Sequence, residues 1–255
     1  MANKPVDFIS LLLSNIRAFL LALSFLSRLA PGRRASYTEM AQSVIYYPPA
    51  GIIIAVILVF PYEIGLFSGF PFVQAWSYVF FSAWLTRALH LDGLADVLDA
   101  LGSGKTGGAF HDVLKDSRIG VFGVVGLVFV LSGQIICAAS LFDYDRISPL
   151  FFAPLFGRCL PILLACVAQP SSQASLGAML ASTPKRLAAA LAVFCMCIGG
   201  FFCLSYASFA ITLLLTFFIL LMLYRLALRE GGYSGDFFGF AIVAGESAVL
   251  LAALF

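Results

Sequence analysis

The chain has 255 residues, 62% apolar and only 11% charged, with a mean hydropathy of +1.02 and a formal net charge of +2. Ordinary soluble domains carry about 25% charged residues, so this composition excludes a disordered chain, argues against a soluble enzyme and fits an all-α, polytopic transmembrane bundle. The small net charge gives no ground for a nucleic-acid partner; six cysteines in apolar runs, without CxxC or Cys/His spacing, point to packing rather than to disulfides or zinc.

The first seven residues show no signal-peptide pattern. Across residues 7–28, Asp7, Ser10, Ser14, Arg17, Ser24 and Arg28 fall on one helical face, and Phe8, Leu11, Leu12, Ile16, Phe19, Leu23 and Leu26 on the other. This predicts an amphipathic helix that lies in the interface or re-enters, the alternative being an ordinary first span with a buried Arg17. A span needs about 20 mostly apolar residues, and seven runs qualify: 44–60, 73–90, 120–142, 149–168, 187–204, 209–225 and 237–255. They fill the chain, so residues 1–255 read as one integral membrane domain in contact with the bilayer. A homo-oligomer is compatible with the sequence, which does not decide it.

Basic loops alternate with loops poor in Lys and Arg. Arg28, Arg33 and Arg34 precede the first full span; Arg87, Lys105, Lys115 and Arg118 fall in 87–119; Lys185 and Arg186 close 169–186; Arg225 and Arg229 precede the last span. The basic side is expected to face the cytoplasm, and every chemically interesting loop lies there.

Five of the nine aspartates lie between positions 92 and 116. In His90-Leu91-Asp92-Gly93-Leu94-Ala95-Asp96-Val97-Leu98-Asp99, the three acids stand at i, i+4 and i+7, on one face of a helix. Three like charges repel, and partial burial makes the repulsion worse. Hard oxygen donors suit Mg²⁺, which is commonly held by a few carboxylates together with substrate phosphates. The plainer reading is a solvated helix face at the membrane edge. Downstream, Gly102-Ser103-Gly104-Lys105-Thr106-Gly107-Gly108 resembles a P-loop, but Asp99 stands where its first Gly belongs. It reads equally as a connector or as a loop bringing Lys105 to a phosphate. Asp116 is a further candidate metal ligand, and Lys115 and Arg118 are candidates to neutralise phosphate oxygens; the alternative is a juxtamembrane salt-bridge cluster.

Arg158 and Glu246 lie inside predicted spans, where charge is costly and usually faces an interior site. A carboxylate of the Asp cluster or a substrate phosphate is the expected partner of Arg158. The last polar segment, Arg229-Glu230-Gly231-Gly232-Tyr233-Ser234-Gly235-Asp236, reads as a helix start capped by Asp236 or as a second substrate-contact loop.

HLDGLADVLDA, KDSRIGVFGV and GGYSGDFFG, with an early FLSRL and a YYPPAG before the first full span, together resemble the cobalamin (5′-phosphate) synthase family, from Phe25 to Glu246 and in the family's order. Val97-Leu98 stands where the family commonly has Thr-Ala, and Ser234 where it has Thr; neither change removes a carboxylate. The resemblance implies a multi-pass inner-membrane enzyme that joins adenosylcobinamide-GDP to α-ribazole or its 5′-phosphate, releasing GMP, with Mg²⁺. For that reaction, we expect from the residues themselves Asp92, Asp96, Asp99 and Asp116 as metal ligands, with Asp99 and Asp116 interchangeable between metal binding and orienting or deprotonating the hydroxyl. We expect Asp99, Asp116 and Arg118 as catalytic groups, and His90, Lys105, Lys115, Arg158, Ser234, Asp236 and Glu246 as substrate contacts. Rival readings are a CDP-alcohol phosphotransferase or prenyltransferase, and an ion-coupled transporter. The first family's Ala-Arg and Gly-x-x-x-Asp-x-x-x-Asp pattern is missing, because Asp96 follows Ala95. A transporter would carry acidic residues near the midplane of several spans.

Overall fold

A computed structural model describes residues 8–32, 34–171 and 185–255; Asp7 of the N-terminal stripe and Arg33 of the first basic loop lie outside them. The helices are α1 (Phe8–Leu26), α2 (Tyr37–Ser43), α3 (Tyr47–Glu63), α4 (Pro71–Leu85), α5 (Leu89–Gly102), α6 (Gly108–Leu114), α7 (Val121–Asp143), α8 (Ser148–Val167), α9 (Lys185–Cys203), α10 (Tyr206–Glu230) and α11 (Gly235–Ala252). A 3₁₀ turn, Val44–Tyr46, carries α2 into α3. Among the described residues there is no strand, only one isolated bridge between Pro170 and Tyr233.

Seven helices are long and apolar enough to cross a membrane, in keeping with the expected polytopic bundle. The set differs from the expected one at two places. Helix α1 qualifies, with Arg17 exposed rather than buried. The expected span 73–90 is interrupted: α4 stops at Leu85, the chain turns through Arg87 and Ala88 at φ +57° and +54°, and α5 begins. At about 1.5 Å per residue α4 is about 22 Å long, short of the roughly 30 Å hydrocarbon core. The break has a physical reason: a helix continuing without interruption would carry Asp92, Asp96 and Asp99 along with the apolar run of α4.

The most buried helices are α8 and α11, with α3 beside them. Helix α11 packs on α8 and α5, α8 also on α3 and α9, and α7 on α4 and α5. Between lipid-embedded helices the hydrophobic effect gives little net attraction, so close backbone approach through small residues takes its place. A Cβ on Gly93 of α5 would stand 2.8 Å from the Asp236 carbonyl oxygen of α11, and one on Gly157 of α8 would stand 2.8 Å from that of Ile242. These two crossings decide where the charged side chains end up.

The end of α1 is fastened to the end of α4. Arg28 donates from its backbone N–H to Leu85 O at 2.8 Å and from Nε to Trp84 O at 2.7 Å, with its guanidinium over the Trp84 ring. Arg87 Nη2 donates back to Ser27 O at 2.9 Å. This is what the Ser-Arg of FLSRL does, and it leaves Phe25 and Leu26 facing α3.

Candidate active site

The Gly93–Gly239 crossing sets the first residues of α11 against the acidic helix α5; a Cβ on Gly239 would meet His90 O at 3.0 Å and Gly93 Cα at 3.1 Å. Asp236 thereby joins Asp92 and Asp96. Burial pushes the Asp96 carboxyl up to about 7, helped by the like charges of Asp92, Asp236 and Asp99. The charged groups that act on Asp96 are carboxylates, while His111 and Lys115 stand on the same cavity wall as Asp92 and Asp236. Ser234 Oγ donates to Asp236 Oδ2 at 2.8 Å and fixes that carboxylate's rotamer.

Asp99, the third acid of the stripe, is turned elsewhere. It accepts the backbone N–H of Gly120 at 2.7 Å and of Gly123 at 2.8 Å, capping the start of α7. A carboxylate there satisfies orphan donors and matches the positive helix end. Gly120, Gly123 and Gly126 make a flat strip on α7 against which Asp99, Ala95 and Leu98 of α5 lie. Asp116 pairs with Arg118: Oδ1 accepts from the Arg118 backbone N–H and Nε, and Oδ2 from Nη2 at 2.7 Å. That guanidinium holds the Asp116 carboxyl down at about 2. Both side chains face solvent.

The loop after α5 is held from α10. Glu230, almost wholly buried, accepts the Gly107 N–H at 2.6 Å and pairs with Arg229. Its backbone carbonyl lies 2.9 Å from His111 Nε2; a carbonyl only accepts, so Nε2 carries the proton.

Between these elements lies a cavity of about 340 Å³. Its apolar wall is Phe25, Leu26, Tyr47, Leu114, Pro161, Phe238 and Ile242; its polar edge is His90, Asp92, His111, Lys115, Ser234 and Asp236. Of the residues expected from sequence, His90, Asp92, Lys115, Ser234 and Asp236 reach this wall, and Asp96 adjoins it through the carboxylate cluster. Lys105, Asp116 and Arg118 do not line it, and Asp99 serves α7. Arg158 and Glu246 lie in a second, much smaller cavity, of about 20 Å³, that His90 also borders. The expectation that Arg158 meets the Asp cluster or a phosphate is corrected here: the Gly157 crossing sets it beside Glu246, and the two form an ion pair.

His111 and Glu230 were not singled out as site residues from sequence. Their signals were a His within the Asp-rich stretch and a Glu preceding two glycines, neither of which specifies a role without the tertiary contacts.

Among the described residues, no group of three or more His, Cys, Asp or Glu side chains stands so as to hold a metal ion by itself. The chemistry of the donor set nonetheless fits Mg²⁺. Asp96 is surrounded by carboxylates and holds its proton near neutrality, and Mg²⁺ needs only one or two carboxylates when water and phosphate complete its shell. Asp92, Asp96 and Asp236 are the residues that would hold it.

An all-helical bundle that spans a membrane and opens an apolar cavity beside clustered carboxylates defines a class: a polytopic membrane protein with its site at one end of the bundle. A family profile described as cobalamin-5-phosphate synthase matches residues 18–254. A protein of Nitratidesulfovibrio vulgaris (strain DP4) named adenosylcobinamide-GDP ribazoletransferase is 41% identical over 234 residues, covering 92% of this chain and 96% of its own. Proteins of the same name from Pseudomonas putida (strain GB-1) and Thermoanaerobacter pseudethanolicus are 34% and 29% identical, over 91% and 89% of this chain and 96% and 92% of theirs. No solved structure matches the chain. The chain belongs to the cobalamin-5-phosphate synthase family.

Proposed function

We propose that this enzyme joins adenosylcobinamide-GDP to α-ribazole or α-ribazole 5′-phosphate, releasing GMP, with Mg²⁺ as cofactor and with its active face toward the cytoplasm. The single observation that supports the placement of the chemistry is that Asp92 and Asp236 belong both to the carboxylate cluster around Asp96 and to the wall of the cavity.

The ribose 3′-hydroxyl of the acceptor attacks the phosphorus that carries the aminopropanol arm. A new P–O bond forms, the P–O bond to GMP breaks, and GMP leaves with the electron pair. Mg²⁺, when bound, neutralises diphosphate oxygens and the charge that develops on the leaving phosphate. The chain's own part is positioning. Asp92 and Asp96 project from one face of α5 and Asp236 from the start of α11, so the glycine crossing fixes their separation. Asp99 is committed to Gly120 and Gly123, and Asp116 to Arg118. That leaves Asp92 and Asp236 as the carboxylates at the cavity wall that can take the hydroxyl proton. Exposed Arg118 and Lys105 add positive charge on the same side of the bundle. That side carries the Lys and Arg of the alternating loops, which supports a cytoplasmic orientation.

The test is product formation by purified protein in detergent from the two substrates, with metal omitted and restored. Product is expected only with divalent metal, and only traces from Asp92→Asn. Wild-type turnover by Asp92→Asn or Asp96→Asn overturns the metal assignment. No product under any condition overturns the reaction.

A further inference from the structure

We propose that the apolar cavity is the acceptor's base subsite: it takes the planar base of the α-ribazole nucleoside, and Phe25, Tyr47 and Phe238 select which base is accepted. This rests on the transferase reading above and says which of the two substrates occupies which part of the site.

Three observations carry it. The first is size. About 340 Å³ lies near the lower end of small-molecule pockets, about 300–1,000 Å³, enough for a nucleoside and too little for a corrin macrocycle with its side chains. The second is wall chemistry. The Phe25 and Tyr47 rings lie within 16° of parallel, with centroids 6.2 Å apart, and Phe238 and Pro161 close the lining. The amide-fringed corrin and the guanine edge would leave polar groups unpaired there. The benzimidazole base of α-ribazole is the planar, largely apolar piece among the reactants, and aromatic walls hold such a face by stacking. The third is the junction. Asp92 and Asp236 sit on this same wall, so a nucleoside with its base inward brings its sugar hydroxyls to the carboxylates. The donor then approaches from the solvent side, where its bulk is unconfined.

The experiment uses the full chain in lipid nanodiscs and an α-ribazole analogue with a diazirine on its base. Irradiation should label peptides containing Phe25, Tyr47 or Phe238. Excess α-ribazole should suppress the labelling, and a corrinoid donor or added phospholipid alone should not. In steady-state kinetics, Phe238→Ala should raise the acceptor KM by about tenfold, the scale of one lost base–aromatic stack, with donor KM and kcat within about twofold. Labelling at those residues that phospholipid suppresses and α-ribazole does not makes the cavity a lipid site and overturns the proposal. A rise in donor KM with the acceptor KM unchanged overturns it too. The labelling needs no variant, so it decides even if Phe238→Ala fails to fold. Product formation with labelling elsewhere sinks the subsite and leaves the transferase reading intact. Labelling as expected without product sinks the transferase reading and leaves a nucleoside-base site.

Discussion

Helix α11 carries two acids, Asp236 in its first turn and Glu246 deeper, and they live in opposite electrostatic situations. Glu246 faces Arg158, wholly buried on α8, and the two charges cancel. Asp236 faces Asp92 and Asp96, and those charges add. Both arrangements are made by the same device, a glycine crossing that brings backbones together: Gly157 in one case, Gly93 with Gly239 in the other. A paired charge in a low-dielectric interior joins two helices, although Nε and Nη2 of Arg158 have no hydrogen-bond partner there. A cluster of carboxylates beside an open cavity is favoured by protons or a cation, which is the ground for the metal role proposed above.

The largest test of this contrast is neutralisation. Asp92→Asn, Asp96→Asn and Asp236→Asn should each lower turnover by about 10²–10³-fold, measured as product per folded protein, while the folded state of the metal-free protein is kept or stabilised. Asp236→Asn unfolding the protein would break the contrast, because it would make that carboxylate a structural partner. On the other side, Arg158→Leu strands Glu246 without its partner and should cost about 3–5 kcal/mol of stability, read by denaturant unfolding in detergent. The double variant Arg158→Leu/Glu246→Leu should recover most of that loss. If Arg158→Leu is as stable as the parent but inactive, the pair belongs to the chemistry and the contrast fails.

Much of this architecture could be read before any coordinates. Runs of lipid-compatible residues mark α7 to α11 closely, because a chain in hydrocarbon has few ways to satisfy its backbone. The segments FLSRL, YYPPAG, HLDGLADVLDA and GGYSGDFFG all meet around one cavity, as members of one site should. What stayed hidden depends on tertiary contact. No Gly or Pro marks the break at Thr86–Ala88, where Arg87 and Ala88 take left-handed backbone. Helical spacing puts Asp92, Asp96 and Asp99 on one side of α5, but only the neighbours show that Asp99 meets the start of α7 while the other two meet α11. Arg158 and Glu246 are 88 residues apart, and nothing local ties one to the other.

Acidity offers a finer test on the carboxylate-cluster side alone. Because burial and its neighbours raise Asp96 to about 7, protons compete with Mg²⁺ below that pH. The Mg²⁺ concentration giving half-maximal activity should rise about tenfold from pH 8 to pH 6. The sign of the stability effect is the reverse. A carboxyl with a raised folded-state pKa favours folding fully below its ordinary value of 3.8 and loses that contribution as pH climbs through 7. Metal-free protein should therefore melt lower at pH 8 than at pH 6, and Asp96→Asn should remove most of that slope. A Mg²⁺ requirement independent of pH would mean that Asp96 takes no part in metal binding.

The smallest effect is expected where the acidic stripe touches the structural side of the contrast, at Asp99. Its two oxygens serve two backbone N–H groups at the start of α7, so an amide in its place keeps one acceptor and sets an NH₂ against the other N–H. The loss should be that of a helix cap, about 0.5–2 kcal/mol. Turnover should fall only a few-fold, through a small displacement of α5 against α7, and the Mg²⁺ requirement should not move. This separates a capping role from a ligand role, since a ligand would shift the metal dependence first. A loss of turnover as large as that of Asp92→Asn, together with a raised Mg²⁺ requirement, would return Asp99 to the metal set. It would also mean that the α7 cap opens when substrate binds.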